Sequence, residues 1–142
     1  MTSRISHNQL YFGIAKLFAQ RSTCLRGQVG CVIIDDKRVI CSGYNGSIKG
    51  MPHCTPDNCN PDNPCGNTVH AEANAISYAA KNGISLEGTI LYCTNEPCLN
   101  CAKLIIQAGI KEVNYIYNYH DHKGLRLLMA VGIQINQHIL KG

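Results

Sequence analysis

No apolar run in this chain approaches the roughly 18–20 residues that cross a bilayer. The longest, Leu127 to Ile133, falls far short. The start, Met1-Thr2-Ser3-Arg4-Ile5-Ser6-His7, has no apolar h-region, which speaks against a secretory signal. Lys and Arg form no run of the kind that grips nucleic acid. The Gly43 to Gly50 stretch lacks a Gly-Lys-Ser/Thr ending, so it is not a triphosphate-binding P-loop. Internal repeats, low-complexity tracts and domain linkers are missing too. These absences point away from membrane and nucleic-acid partners and towards one cytoplasmic domain, whether of a cell or of a virus-infected host.

What is present is a chain of 142 residues, about one domain's worth. Its 45% hydrophobic and 15% charged content marks a globular protein. The net charge of +4 suits an anionic small molecule without demanding one. Nine cysteines stand out. In a reducing compartment such cysteines are more often metal ligands or catalytic groups than disulfides, and an odd number fits a disulfide framework poorly.

Ser6 with Gln9 forms a capping-box pattern, and Leu10, Tyr11, Ile14, Leu17 and Phe18 recur at helical spacing, predicting a helix to about Gln20. Val29 to Ile34, an Asp35-Asp36-Lys37 turn and Arg38 to Ser42 read as a hairpin. Gly43 to Asn67, broken by Pro52, Pro56, Pro61 and Pro64, reads as a loop too long to be idle. Val69 to Asn82 is helical and closed by Gly83, and Thr89 to Thr94 is a strand. A helix from Pro97 stops at Gly109. Glu112 to Tyr117, Leu125 to Val131 and Ile133 to Ile139 follow as strand, helix and strand. This alternation predicts an α/β domain over residues 1–142, its sheet covered by helices and paired in parallel in its second half.

Cys98 and Cys101 sit three apart at a predicted helix start, where both sulfurs share a face and the helix dipole favours thiolate. His70 opens the other long helix, with Glu72 two residues on. One His and two Cys are three ligands, which leaves the fourth tetrahedral position of a zinc ion open, the catalytic pattern. The alternatives are a closed structural zinc knot or a redox Cys-x-x-Cys. Of the other cysteines, Cys31, Cys41 and Cys93 fall in predicted strands as small buried hydrophobes. Cys24, Cys54, Cys59 and Cys65 lie in loops, and four is the number a closed tetrahedral zinc needs. His53 could replace one of those sulfurs, and free loop thiols are the plain alternative. His120 and His122 read as solvated or helix-capping residues.

His70-Ala71-Glu72 followed by Pro97-Cys98-x-x-Cys101 resembles the signature of zinc-dependent nucleobase deaminases. Ala19-Gln20-Arg21-Ser22, Gln28-Val29-Gly30, Gly43-Tyr44-Asn45-Gly46, Leu104 to Lys111 and Tyr119-His120-Asp121 further resemble deoxycytidylate (dCMP) deaminases, from about Tyr11 to Ile135. The resemblance implies a three-layer α/β/α cytidine-deaminase-like fold with a mixed five-stranded sheet. It implies a zinc ion on His70, Cys98 and Cys101 that activates water, and Glu72 as the proton carrier for attack at C4 of cytosine. It assigns substrate binding to Arg26, Asn45, Ala71 and Tyr119, with Arg26 and Tyr119 turned to the phosphate and Asn45 to sugar or phosphate. It also implies a second, structural zinc and a homo-hexamer. Regulation would be by dCTP, with Mg2+, and by dTTP through Gly43, Tyr44, Asn45 and Gly46. A tRNA adenosine deaminase, a free-cytidine deaminase and an inactive zinc-stabilised interaction module are the competing readings. The modest basic excess argues against the first, a phosphate-binding Arg26 against the second and an intact Glu72 against the third.

Overall fold

Strand β1 (Gly30–Asp35) is buried at five of its six residues, as a strand covered on both faces should be. The computed structural model, which describes residues 3–59 and 66–139, shows what covers it. Cys31 and Ile33 join one apolar cluster with Ala71, Ala75, Leu91, Cys93 and Leu128; Val32 and Ile34 join another with Tyr11, Phe12 and Tyr92. Successive strand side chains point to opposite faces, so β1 separates two cores. Helix α1 (His7–Ala19) closes one, while α2 (Ala71–Asn82), α3 (Leu99–Ala108) and α4 (Lys123–Ala130) close the other.

The main sheet runs β2 (Arg38–Tyr44), β1, β5 (Ile90–Asn95), β6 (Glu112–Tyr117) and β7 (Gln134–Gln137). Strand β1 is antiparallel to β2 and β5, whereas β5, β6 and β7 are parallel, joined by the crossover helices α3 and α4. This is the mixed five-stranded, three-layer α/β/α architecture that the sequence implies. The Ser6–Gln9 capping box forms. Gly83 and Gly109 end α2 and α3 at φ of 67° and 87°, where a side chain would strain the turn.

One local difference from the sequence reading has a physical cause. Helix α2 begins at Ala71, not Val69, because β4 (Thr68–Val69) pairs with β3 (Gly46–Ser47) and delivers His70 to the helix start. The long loop is thus tied at its two ends. In the β1–β2 turn both Asp36 and Lys37 take positive φ, 48° and 64°, and the Tyr11 hydroxyl holds the Lys37 carbonyl at 2.8 Å. Among the described residues no helix is long and apolar enough to cross a membrane.

Candidate active site

His70 and Cys98 occupy equivalent places: each is the extended N-cap residue of its helix, His70 of α2 and Cys98 of α3. Neither uses its side chain as a cap. Their side chains turn to each other instead, with His70 Nδ1 3.4 Å from Cys98 Sγ and 3.4 Å from Cys101 Sγ. Donors around a tetrahedral zinc at about 2.0–2.3 Å stand roughly 3.5–3.8 Å apart, so the three residues fit the ion with little movement. Among the described residues they are the one His/Cys/Asp/Glu trio whose ligand atoms all lie within 4.8 Å of one another.

The two thiols share their charge unequally. A hydrogen bond from Cys101, helped by His70, holds Cys98 down at about 4 against burial. Cys101, donating that bond and more enclosed, is pushed far up. The trio therefore presents one ready thiolate, the form that binds metal. Glu72, in the first turn of α2, is only 4% exposed. Burial pushes its carboxyl up to about 7, although its own backbone N–H, His70 and Cys101 pull the other way. Such a group both takes and gives a proton near neutrality.

Two glycines let these helix starts converge. A Cβ on Gly43, in β2, would run into the Ala71 carbonyl and stand 2.9 Å from the Ala75 nitrogen. A Cβ on Gly124, in α4, would strike the Pro97 carbonyl and stand 2.8 Å from the Cys98 carbonyl oxygen. Cys31 Sγ donates to the Ala71 carbonyl at 3.3 Å, tying β1 to the same turn. That leaves Ala71 to offer a ligand its N–H, one of the donors a helix start leaves unmatched.

A cleft of about 570 Å³ opens over His70, Cys98 and Glu72, and Arg26, Asn45, Ala71 and Tyr119 all line it. Asn45 is 7% exposed; its Oδ1 accepts from Val29 N–H and its Nδ2 donates to the Gly27 carbonyl, both at 2.9 Å. Each end of that amide keeps one further bond for a ligand. Tyr119 is half-buried, and burial first, then the charge on Cys98, raises its phenol. Of the four residues assigned to effectors, only Asn45 is at the cleft. Gly43 packs on α2, the Tyr44 carbonyl accepts from Asn74 at 2.7 Å, and Gly46 lies against Thr23.

Cys31, Cys41 and Cys93 are buried in the core as their strand positions predict. The residues assigned to a second zinc are not gathered: no three of Cys24, His53, Cys54 and Cys59 meet within ligand distance among the described residues. Cys65, the remaining member, lies outside the described residues. Thr68, Asn95, Glu96 and His120 also line the cleft, and sequence reasoning missed them as site residues. The adjacency of Glu96 to Pro97-Cys98, and of His120 to Tyr119, is the signal that could have found two of them.

A three-ligand zinc site beside a glutamate that does not ligate is the arrangement of zinc-dependent nucleobase deaminases. The chain belongs to the cytidine and deoxycytidylate deaminase family, whose zinc-binding region matches residues 5–117. It is 45% identical over 136 residues to ComE operon protein 2 of Bacillus subtilis, covering 94% of this chain and 72% of that one. It is 38% identical over 146 residues to the deoxycytidylate deaminase of Schizosaccharomyces pombe, covering 96% of this chain but only 45% of that longer protein. The crystal structure of the cyanophage S-TIM5 dCMP deaminase in complex with dCMP and dUMP superposes with a TM-score of 0.84 at 32% identity, over 96% of this chain and 100% of that one.

Proposed function

We propose that this chain hydrolyses dCMP to dUMP and ammonia. The observation that carries the reading is the meeting of His70, Cys98 and Cys101 beside the buried Glu72 at the floor of the cleft. Likeness to a deaminase crystallised with dCMP and dUMP supports the choice of nucleotide. Zinc, when held by His70 Nδ1 and the sulfurs of Cys98 and Cys101, supplies the Lewis acidity that makes water a nucleophile near neutral pH. Glu72 accepts the proton released by the attacking water and passes it to N3 of the cytosine ring as C4 gains oxygen. The same carboxyl then takes the proton of the new C4 hydroxyl and delivers it to the amino group, which leaves as ammonia as the C4 carbonyl forms. Arg26 offers its planar fork to the 5′-phosphate, Asn45 its remaining N–H and lone pair to the sugar or phosphate, and Ala71 its N–H to the substrate. Tyr119 contacts the nucleotide from the segment after β6.

The same reading takes residues 1–142 as one deaminase domain working in the cytoplasm as a homo-hexamer. In it dCTP, with Mg2+, activates and dTTP inhibits through Gly43, Tyr44, Asn45 and Gly46. Cys24, Cys54, Cys59 and Cys65, or His53 in place of one, hold a second, structural zinc that orders the long loop. The half-buried state of Cys54 and Cys59 in the otherwise exposed stretch 51–59 is in keeping with that role.

The test is turnover of dCMP, CMP, deoxycytidine and dCTP, each with and without added dCTP as effector, followed by loss of cytosine absorbance. Turnover confined to dCMP and raised by dCTP is the expected result. No turnover on any of the four would move the substrate to another nucleobase. Arg26→Ala should raise KM for dCMP by about tenfold or more and leave deoxycytidine little changed, as loss of a charge-assisted phosphate contact would. An equal effect on both removes Arg26 from the phosphate site.

A further inference from the structure

Glu96 follows β5, two residues before Cys98, and its N–H donates to the Tyr117 carbonyl at 2.8 Å. Its side chain has no solvent exposure. A carboxylate so enclosed is strongly disfavoured without donors, and here the donors come from a single segment. The Tyr119 backbone N–H reaches Oε1 at 3.2 Å, and His122 Nδ1 lies 3.1 and 2.9 Å from the two oxygens. A carboxylate only accepts, so the hydrogen sits on Nδ1 and bridges both.

Between those two donors lie Tyr119 and His120, whose rings stand 4.0 Å apart, centre to centre, and which both line the cleft. Asp121 Oδ2 lies 3.3 Å from His120 Nε2 and Asp121 Oδ1 accepts from the Lys123 N–H, so the segment carries its own orienting contacts into α4. At the far side Gly124 seats α4 against the Cys98 carbonyl. The Tyr119–His120 pair is therefore strung between two fixed points, and His122, which does not line the cleft, makes one of them.

We propose that Glu96 and His122 are positioning residues for the nucleotide: they hold Tyr119 and His120 as a fixed wall of the cleft, setting affinity for substrate more than the rate of the chemical step. The inference rests on the dCMP reading above. The His122 side chain is 52% exposed, so its truncation opens no buried cavity, and circular dichroism with a melting curve checks that the fold persists when Glu96 loses this donor. In the zinc-loaded protein, His122→Ala should raise KM for dCMP about tenfold while kcat and zinc content stay within roughly twofold. His122→Asn, which restores an N–H near the lost one, should recover most of the affinity. His120→Ala should raise KM by itself, and adding His122→Ala should raise it little further, because both act through one wall. Zinc loss, or a fall in kcat at unchanged KM, in His122→Ala would make the pair a prop for Cys98 and overturn the proposal, as would full additivity. If the parent deaminates dCMP and His122→Ala is indistinguishable from it, this inference alone falls. If the parent does not deaminate dCMP, the functional reading falls and takes this one with it.

Discussion

At the starts of α2 and α3, side chains 28 and 31 residues apart in sequence meet within 3.4 Å. Between residues 24 and 59, Cys24, His53, Cys54 and Cys59 offer four donors against those three, two of them adjacent, yet no three converge among the described residues. The first set hangs from the starts of two helices fixed by a packed sheet, so the fold itself holds its donors together. The second hangs from loop backbone; on the two-zinc reading proposed above, the metal itself would bring such donors together, metal binding and ordering being one event.

The largest effect expected is on the rigid set. Glu72→Ala should lower kcat by about a thousandfold, within the range of lost general acid–base catalysis, with the catalytic zinc retained by metal analysis. Full turnover in that variant would sink the mechanism. Gly124→Ala tests whether rigidity is the cause: its Cβ would push on the Pro97–Cys98 backbone, and zinc affinity measured by chelator competition should fall about ten- to a hundredfold. Unchanged affinity would mean that Cys98 is placed by something other than this close contact.

The loop set predicts a different outcome. The purified chain should carry two zinc ions, and Cys54→Ser with Cys59→Ser should reduce that to one while Glu72 chemistry persists. Hydrogen exchange should then quicken in the long loop and not at the starts of α2 and α3. One ion in the parent chain would refute the second site and leave the loop thiols free.

The smallest effect is on stability. Glu72 is held at about 7 against an ordinary 4.5, so in zinc-stripped protein its contribution is fully present below about pH 4.5 and is lost as pH rises through 7. Melting temperature should fall across that window in the parent relative to Glu72→Gln. A constant difference between the two would show that the carboxyl is not desolvated.

Sequence alone reached the rigid set because its grammar is local: Pro97, the Cys98–Cys101 spacing and His70-Ala71-Glu72 each mark a helix start. It reached the sheet because β1, β5 and β6 are apolar runs between turn residues. It missed Glu96 because a glutamate ending a strand looks solvated until Tyr119 and His122 are seen to enclose it. It set His120 aside for the same reason, since facing a cleft depends on where β6 ends relative to β5. Asn45 was assigned through the family resemblance and does line the cleft, but its grip on Gly27 and Val29 belongs to a crossing of segments that no spacing encodes.

The antiparallel pairing of β1 with β5 has a bearing on how the molecule comes into being. Gly30 donates to Thr94 across 64 positions of chain, and Cys31 to Ile34 align with Cys93 to Ile90. His70 and Glu72 lie inside the loop this pairing closes, and Cys98 and Cys101 lie just beyond its end. Closing so long a loop is entropically costly and slow compared with forming a helix turn, and the starts of α2 and α3 come face to face only when it is closed. A chain in which this ladder is unmade therefore has its ligand trio apart. Retention of zinc by a nascent or refolding chain reports that its central ladder is complete.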